Sequence, residues 1–86
     1  MQLGMKNKKK NAVLVTGCNG DIGISICKEF ADRGYLVIGT DVHNKPKFHC
    51  DFYMACDLID FVKNEAVSLR FKNSINLFLD ENHAVL

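Results

Sequence analysis

The stretch Ala12-Val13-Leu14-Val15-Thr16-Gly17-Cys18-Asn19-Gly20-Asp21-Ile22-Gly23 decides how this chain is read. Ala12 to Thr16 is a short, nearly unbroken apolar run that ends in a glycine-rich turn, the pattern of a strand buried on both faces. From Ile22 the spacing changes. Ile22, Ile26 and Phe30, joined by Cys27 and Ala31, recur at helical intervals, while Lys28, Glu29, Asp32 and Arg33 fall largely elsewhere. Gly34 then stands where a helix stops. A buried strand, a turn with glycines at 17, 20 and 23, and an amphipathic helix follow one another without a gap.

The pattern continues outward. Tyr35-Leu36-Val37-Ile38-Gly39-Thr40 is β-branched and apolar, a second strand, and the stretch from His43 to Lys47, with Pro46, reads as a loop. Phe52 to Cys56 is a third extended piece. Ile59, Val62, Ala66 and Leu69 then share a helical face, and Ile75-Asn76-Leu77-Phe78-Leu79 reads as a fourth strand. Strands alternating with helices mean parallel βαβ units. The expected fold is therefore α/β, a Rossmann-like half of about four parallel strands in the order 3-2-1-4 with helices packed on them. No internal repeat or low-complexity linker interrupts it.

Composition narrows the field. The 86 residues carry 11 Lys and Arg against 10 Asp and Glu, with 48% hydrophobic residues. That makes one small domain, residues 11–86, behind a basic leader of residues 1–10. The near-neutral balance gives no single-signed field to steer the chain onto nucleic acid or an anionic membrane, and neither partner is expected. No apolar run approaches the roughly 18 residues of a membrane span. The leader's Lys6, Lys8, Lys9 and Lys10 precede an apolar stretch of only Ala12 to Val15, too short for a signal peptide. The expectation is a cytoplasmic chain whose Cys18, Cys27, Cys50 and Cys56 remain thiols. A domain of this size buries only about 60% of the surface of its unfolded chain, so its core is marginal unless a ligand or partner adds to it.

The chemistry concentrates at the first turn. Such a turn needs glycine for positive φ in the bend, for close approach of backbone to a pyrophosphate, and for packing the helix on the strand. First-turn N–H groups and the positive end of the helix dipole then face an anion. Gly17, Cys18, Asn19, Gly20, Asp21, Ile22 and Gly23 are the candidate cofactor-binding turn. The second strand ends in Asp41, 18 positions after Gly23, where a carboxylate can accept hydrogen bonds from the adenosine ribose and repel a 2′-phosphate. That favours NAD over NADP, although Lys45 and Lys47 on the following loop work the other way. Asp41 could instead simply start a turn. Asp57, after the third strand, reads equally as a contact to adenine or as a helix N-cap.

These residues resemble the opening βαβ unit of the short-chain dehydrogenases/reductases. The likeness lies in Val13-Leu14-Val15-Thr16-Gly17, Asn19-Gly20-Asp21-Ile22-Gly23 and Gly34-Tyr35-Leu36-Val37, and it runs from about Ala12 to Leu79. Cys56-Asp57-Leu58 and Ile75 to Leu79 are similar to the ends of the family's third and fourth strands, where an Asp touches adenine and a strand precedes an Asn-Asn-Ala-Gly motif. The resemblance implies the nucleotide-binding portion of an oxidoreductase that moves hydride between nicotinamide and an alcohol or carbonyl carbon.

Three departures accompany it. The 17, 20, 23 spacing is that of the family's extended branch, and Asp21 either favours the helix start or repels a pyrophosphate. Asp80-Glu81-Asn82-His83 stands where Asn-Asn-Ala-Gly would be. The family's catalytic Ser and Tyr-x-x-x-Lys lie beyond this stretch, and Tyr35 and Tyr53 are followed four positions on by Gly39 and Asp57. No catalytic residue is assigned, and the chain reads as a truncated or interrupted member, inactive alone.

Other readings of the same residues are weaker. Cys18 as a nucleophile at a helix N-terminus has no His placed beside it, and packing under the turn is the simpler role. His43, His49, Cys50 and Cys56 show neither C-x2-C nor H-x3-5-H spacing, so no metal site is assigned. A non-catalytic interaction module remains the alternative, its open sheet edge covered by a second chain or by self-association, as does a remnant that does not fold stably.

Overall fold

Strand β1 (Lys10–Thr16) is central, and the computed structural model, which describes residues 9–86, builds outward from it. It is followed by helix α1 (Asp21–Asp32), strands β2 (Leu36–Asp41) and β3 (Phe52–Ala55), helices α2 (Leu58–Lys63) and α3 (Glu65–Glu81), and strand β4 (Ala84–Val85). The sheet order is β3-β2-β1-β4 and every pairing is parallel. The α/β, 3-2-1-4 expectation is met. Of the basic leader, residues 1–8 lie outside the described residues, and Lys10 already belongs to β1, paired with Ala84.

The sheet is covered on both faces, as continuous apolar strands require. Period-two alternation sends Ala12, Leu14, Leu36, Ile38, Phe52 and Met54 to one face, where they meet Phe71, Ile75, Phe78 and Leu79 of α3. The other face carries Val13, Val15, Val37 and Tyr53 against Cys27, Phe30 and Ala31 of α1. Helix α1 thus packs through Gly23, Cys27, Phe30 and Ala31. Ile22, expected on the buried side, is 78% exposed, and Ile26 is also turned out.

The fourth strand is a correction. Ile75 to Leu79 is helical and lies within α3, and the sheet is completed instead by Ala84 and Val85. The choice follows from which side chains reach the core. A strand through 75–79 would bury Ile75, Leu77 and Leu79, whereas the structure buries Ile75, packs the half-buried Phe71, Phe78 and Leu79 beside it, and leaves Leu77 60% exposed. That is helical spacing. Asn64 fixes the start of α3, its side chain accepting from the N–H groups of Ala66 at 2.9 Å and Val67 at 3.3 Å. With φ −122° and ψ 109°, Asn64 also divides α2 from α3, and the expected face of Ile59, Val62, Ala66 and Leu69 is largely exposed rather than core.

At its other end α3 stops at Asn82, whose side-chain amide donates to the Phe78 carbonyl at 2.9 Å, and His83 turns the chain with φ +53°. The His83 carbonyl then accepts from the Lys10 N–H at 3.0 Å and starts the β1–β4 pairing. Asp80 to His83 therefore precede β4 instead of following a strand, and the expected match to the Asn-Asn-Ala-Gly position is lost with the misplaced strand. No helix among the described residues is long and apolar enough to cross a membrane.

Candidate functional site

Because the strands are parallel, the carboxyl ends of β1, β2 and β3 lie along one edge, which brings together the turn and helix start Gly17–Gly23, the last residue of β2, Asp41, and Asp57 just after β3. The strand order reverses at β1, with β2 on one side and β4 on the other. In open α/β sheets such a reversal leaves a crevice outside the strand ends. The glycine-rich turn stands at that point.

Each glycine of the turn has its own geometry. Gly17 has φ +63°, the left-handed region that costs glycine nothing. The Gly20 N–H donates to the Gly17 carbonyl at 3.1 Å, and Gly20 then serves as N-cap with no side chain bonded to the first-turn N–H groups of α1. Gly23 is pressed against the start of the turn. A Cβ there would lie 2.1 Å from the Gly17 oxygen and 2.8 Å from the Cys18 Cα, so only glycine lets α1 sit this close to β1. Asp21 occupies the first turn, and Ile22 projects into solvent beside it.

Asp41 ends β2 with both carboxylate oxygens engaged. Oδ2 accepts from the Asn19 N–H at 2.9 Å and Oδ1 from the Val42 N–H at 2.8 Å. Those two bonds, the Asn19 one foremost, hold its carboxyl below the usual carboxylate range, with smaller help from His43 and Lys47. The acid is thus charged, oriented and tied to the glycine-rich turn rather than being an isolated turn-starter. Asn19 also holds the next loop. Its Nδ2 donates to the Lys45 carbonyl at 3.1 Å and its Oδ1 accepts from the Lys47 N–H at 2.8 Å. Sequence reasoning placed Asn19 in the turn but missed this second role.

Asp57 is a helix cap, its Oδ1 accepting from the Ile59 N–H at 2.9 Å, and it stands exposed just beyond β3. Cys18 packs under the turn with Cys27, Val15 and Val37. Burial pushes its thiol up, against the lowering that a nucleophile at a helix N-terminus needs. Cys50 is pushed up to about 12 by burial and then by the two neighbouring cysteines. Gly39 in β2 makes room for this group: a Cβ there would fall 2.6 Å from the Cys50 Sγ and 2.9 Å from the Cys18 Sγ. A lone glycine inside a strand pattern was the available signal.

His43, His49, Cys50 and Cys56 are not gathered: among the described residues no three metal-ligating side chains converge, and His49 lies instead 3.5 Å from the Asp51 carboxylate. A groove of about 360 Å³ between the end of β3 and α3 is lined by Met54, Ala55, Cys56, Val67, Arg70 and Phe71, clear of the glycine-rich turn. Comparison of the chain with protein-family models, with curated proteins and with solved structures finds no match.

Proposed function

We propose that this chain binds a dinucleotide, NAD in preference to NADP, along the edge formed by Gly17–Gly23 and Asp41, as the nucleotide-binding portion of a short-chain dehydrogenase/reductase-type oxidoreductase. The observation that carries the reading is Gly23, where a Cβ would strike the Gly17 carbonyl. Glycine there brings an uncapped helix N-terminus within reach of the turn, and an uncapped N-terminus offers backbone donors to a phosphate. Asp41, charged and held from the same turn, supplies the ribose end.

The fit of residues to cofactor is good in kind. Backbone N–H groups would hold the pyrophosphate, Asp41 would accept from the ribose hydroxyls, and Asp57 keeps one carboxylate oxygen beyond its capping bond for the adenine side. Bound nicotinamide supplies hydride chemistry. This chain's residues would bind and orient it, and the sequence offers no Tyr-x-x-x-Lys to move the proton, so turnover by this chain alone is not expected. A cytoplasmic setting fits its four free thiols.

The test is titration of the 15N-labelled chain with NAD and NADP, followed by amide shifts. Shifts at Gly17, Gly20, Gly23 and Asp41 that favour NAD, and an affinity about tenfold lower in Asp41→Ala, are expected from loss of a hydrogen bond to a charged group. Dispersed spectra unmoved by either nucleotide at millimolar concentration would sink it. One observation favours a second reading: Leu58, Ile59 and Val62 form an exposed apolar stripe on α2, with Val62 at 81%. Such a stripe suits an interaction module covered by another chain or a second copy, and sedimentation would reveal the association.

A further inference from the structure

Within the turn Gly17–Gly23, Asn19 is the residue whose polar side chain is buried, at 4% exposure. Buried polar groups keep their place only when they are hydrogen-bonded, and this amide uses both ends on one distant segment. Nδ2 donates to the Lys45 carbonyl and Oδ1 accepts from the Lys47 N–H. Between those two anchors Pro46 has a fixed φ and no N–H, a stiff spacer that holds the anchors on either side of it. The same residue's backbone N–H donates to Asp41. One residue thus ties together the glycine-rich turn, the acidic end of β2 and a strap over residues 45–47.

The chemistry of that strap differs from that of the site it borders. Residues 42–50 include His43, Lys45, Lys47 and His49 and no carboxylate. The Lys47 backbone is joined through Asn19 to Asp41, since the Lys47 N–H donates to the Asn19 side chain and the Asn19 N–H donates to the carboxylate. The Asn19 and Val42 N–H groups do most to lower the Asp41 carboxyl, and the His43 and Lys47 charges add to it. A strap held here sets a positive charge beside the negative one, at the end of β2 where a ribose would lie.

Resting on the nucleotide reading above, we propose that Asn19 is a specificity-positioning residue: its side chain latches the basic strap beside Asp41, so latch and carboxylate together set the discrimination between NAD and NADP. Asp41 repels a 2′-phosphate, and the latched Lys47 offsets part of that repulsion. Loss of the latch frees residues 45–47 between the His43 carbonyl, which Tyr53 holds, and Phe48, which packs on the core, and so weakens the offset. NADP then loses affinity more than NAD, and the preference for NAD sharpens.

The test uses the full chain as wild type, Asn19→Ala and Lys47→Gln. The second variant removes only an exposed charge and leaves the Lys47 N–H in its bond, so it remains informative if Asn19→Ala folds poorly. Amide hydrogen exchange reads the latch, and NAD and NADP titrations read the ratio of affinities. Asn19→Ala is expected to expose the Lys47 amide to exchange and to raise the NAD-to-NADP ratio about fivefold, the scale of one partly solvated charge acting on a phosphate. Lys47→Gln is expected to raise the ratio similarly with the amide still protected. A merely structural Asn19 would weaken both nucleotides alike. If the wild type binds and neither variant changes the ratio, the latch inference falls and the nucleotide reading stands. If the wild type binds neither nucleotide, the nucleotide reading itself falls and this one with it.

Discussion

Replacing Gly23 by Ala tests the packing on which the site depends. The new Cβ would lie 2.1 Å from the Gly17 oxygen, 2.8 Å from the Cys18 Cα and 2.9 Å from the Gly17 carbonyl carbon. All three are backbone atoms of the turn, so no rotamer change relieves the overlap, and α1 must move away from β1. Overpacking against such atoms costs about 3 kcal/mol. Alanine returns about 1 kcal/mol of helix propensity, leaving a net loss of about 2 kcal/mol. A small domain with a few kcal/mol in hand loses a large part of its stability. With a urea slope of about 1 kcal/mol/M, the unfolding midpoint falls by about 2 M. Gly20→Ala is the control, since its Cβ would meet the Gly17 oxygen at an ordinary 3.5 Å. Its cost is the N-cap preference of glycine over alanine, below about 1 kcal/mol. Equal midpoints for the two variants would refute the reasoning, because the glycines would then matter through chain flexibility alone.

Other perturbations follow from the same geometry. Asn64→Ala removes the bonds to Ala66 and Val67 and is expected to cost about 1 kcal/mol, a fall of about 4–8 °C in thermal midpoint by circular dichroism. Gly39→Ala drives a methyl into the sulfurs of Cys50 and Cys18. Because side-chain atoms can be trimmed, Cys50→Ala should recover about 1 kcal/mol of the loss in a double-mutant cycle, and strict additivity would contradict the assigned contact. The thiols also set an alkaline limit. Cys50 is pushed from its ordinary 9.0 to about 12, and Cys18 and Cys27 are raised as well. In that range the folded state holds protons that the unfolded state releases, so their contribution is complete below pH 9 and declines as pH rises toward 12. Urea midpoints should fall between pH 8.5 and 10.5, and less steeply in Cys50→Ala.

The fold was legible where the residue pattern admits one reading. Continuous apolar runs in β1 and β2, joined by a glycine-marked turn and a helix, leave little choice, and β1 pairs with β2 in register from Ala12↔Leu36 to Thr16↔Thr40. The error fell on an ambiguous run. Ile75-Asn76-Leu77-Phe78-Leu79 shows alternation if Phe78 is ignored and helical spacing if Phe71 is included, and five residues cannot decide between the two. What decides is Asn64, eleven positions upstream, which starts a helix that meets no glycine or proline before Asn82. β4 carries almost no pattern at two residues. It forms because β1 offers a partner at Lys10 and Asn11. The order 3-2-1-4 was therefore reached correctly through the wrong segment.

Legibility in the site divides along the same line. Positions that constrain the backbone leave a trace in residue type: Gly17 for its φ, Gly23 for lack of room, Asp41 at the end of a strand. Asn19 leaves no such trace, because its side chain is explained only by a carbonyl and an N–H 26 and 28 residues away. An asparagine in a glycine-rich turn has many local uses, and only a folded loop distinguishes the one adopted. Ile22 and Ile26 show the converse, since helical periodicity names an apolar stripe without saying which edge of it meets the sheet. Gly23 settles that edge, as the face that comes closest to β1 must be the one without a side chain. The contact that makes the turn tight therefore also sets the roll of α1, and with it the direction in which the first-turn N–H groups point.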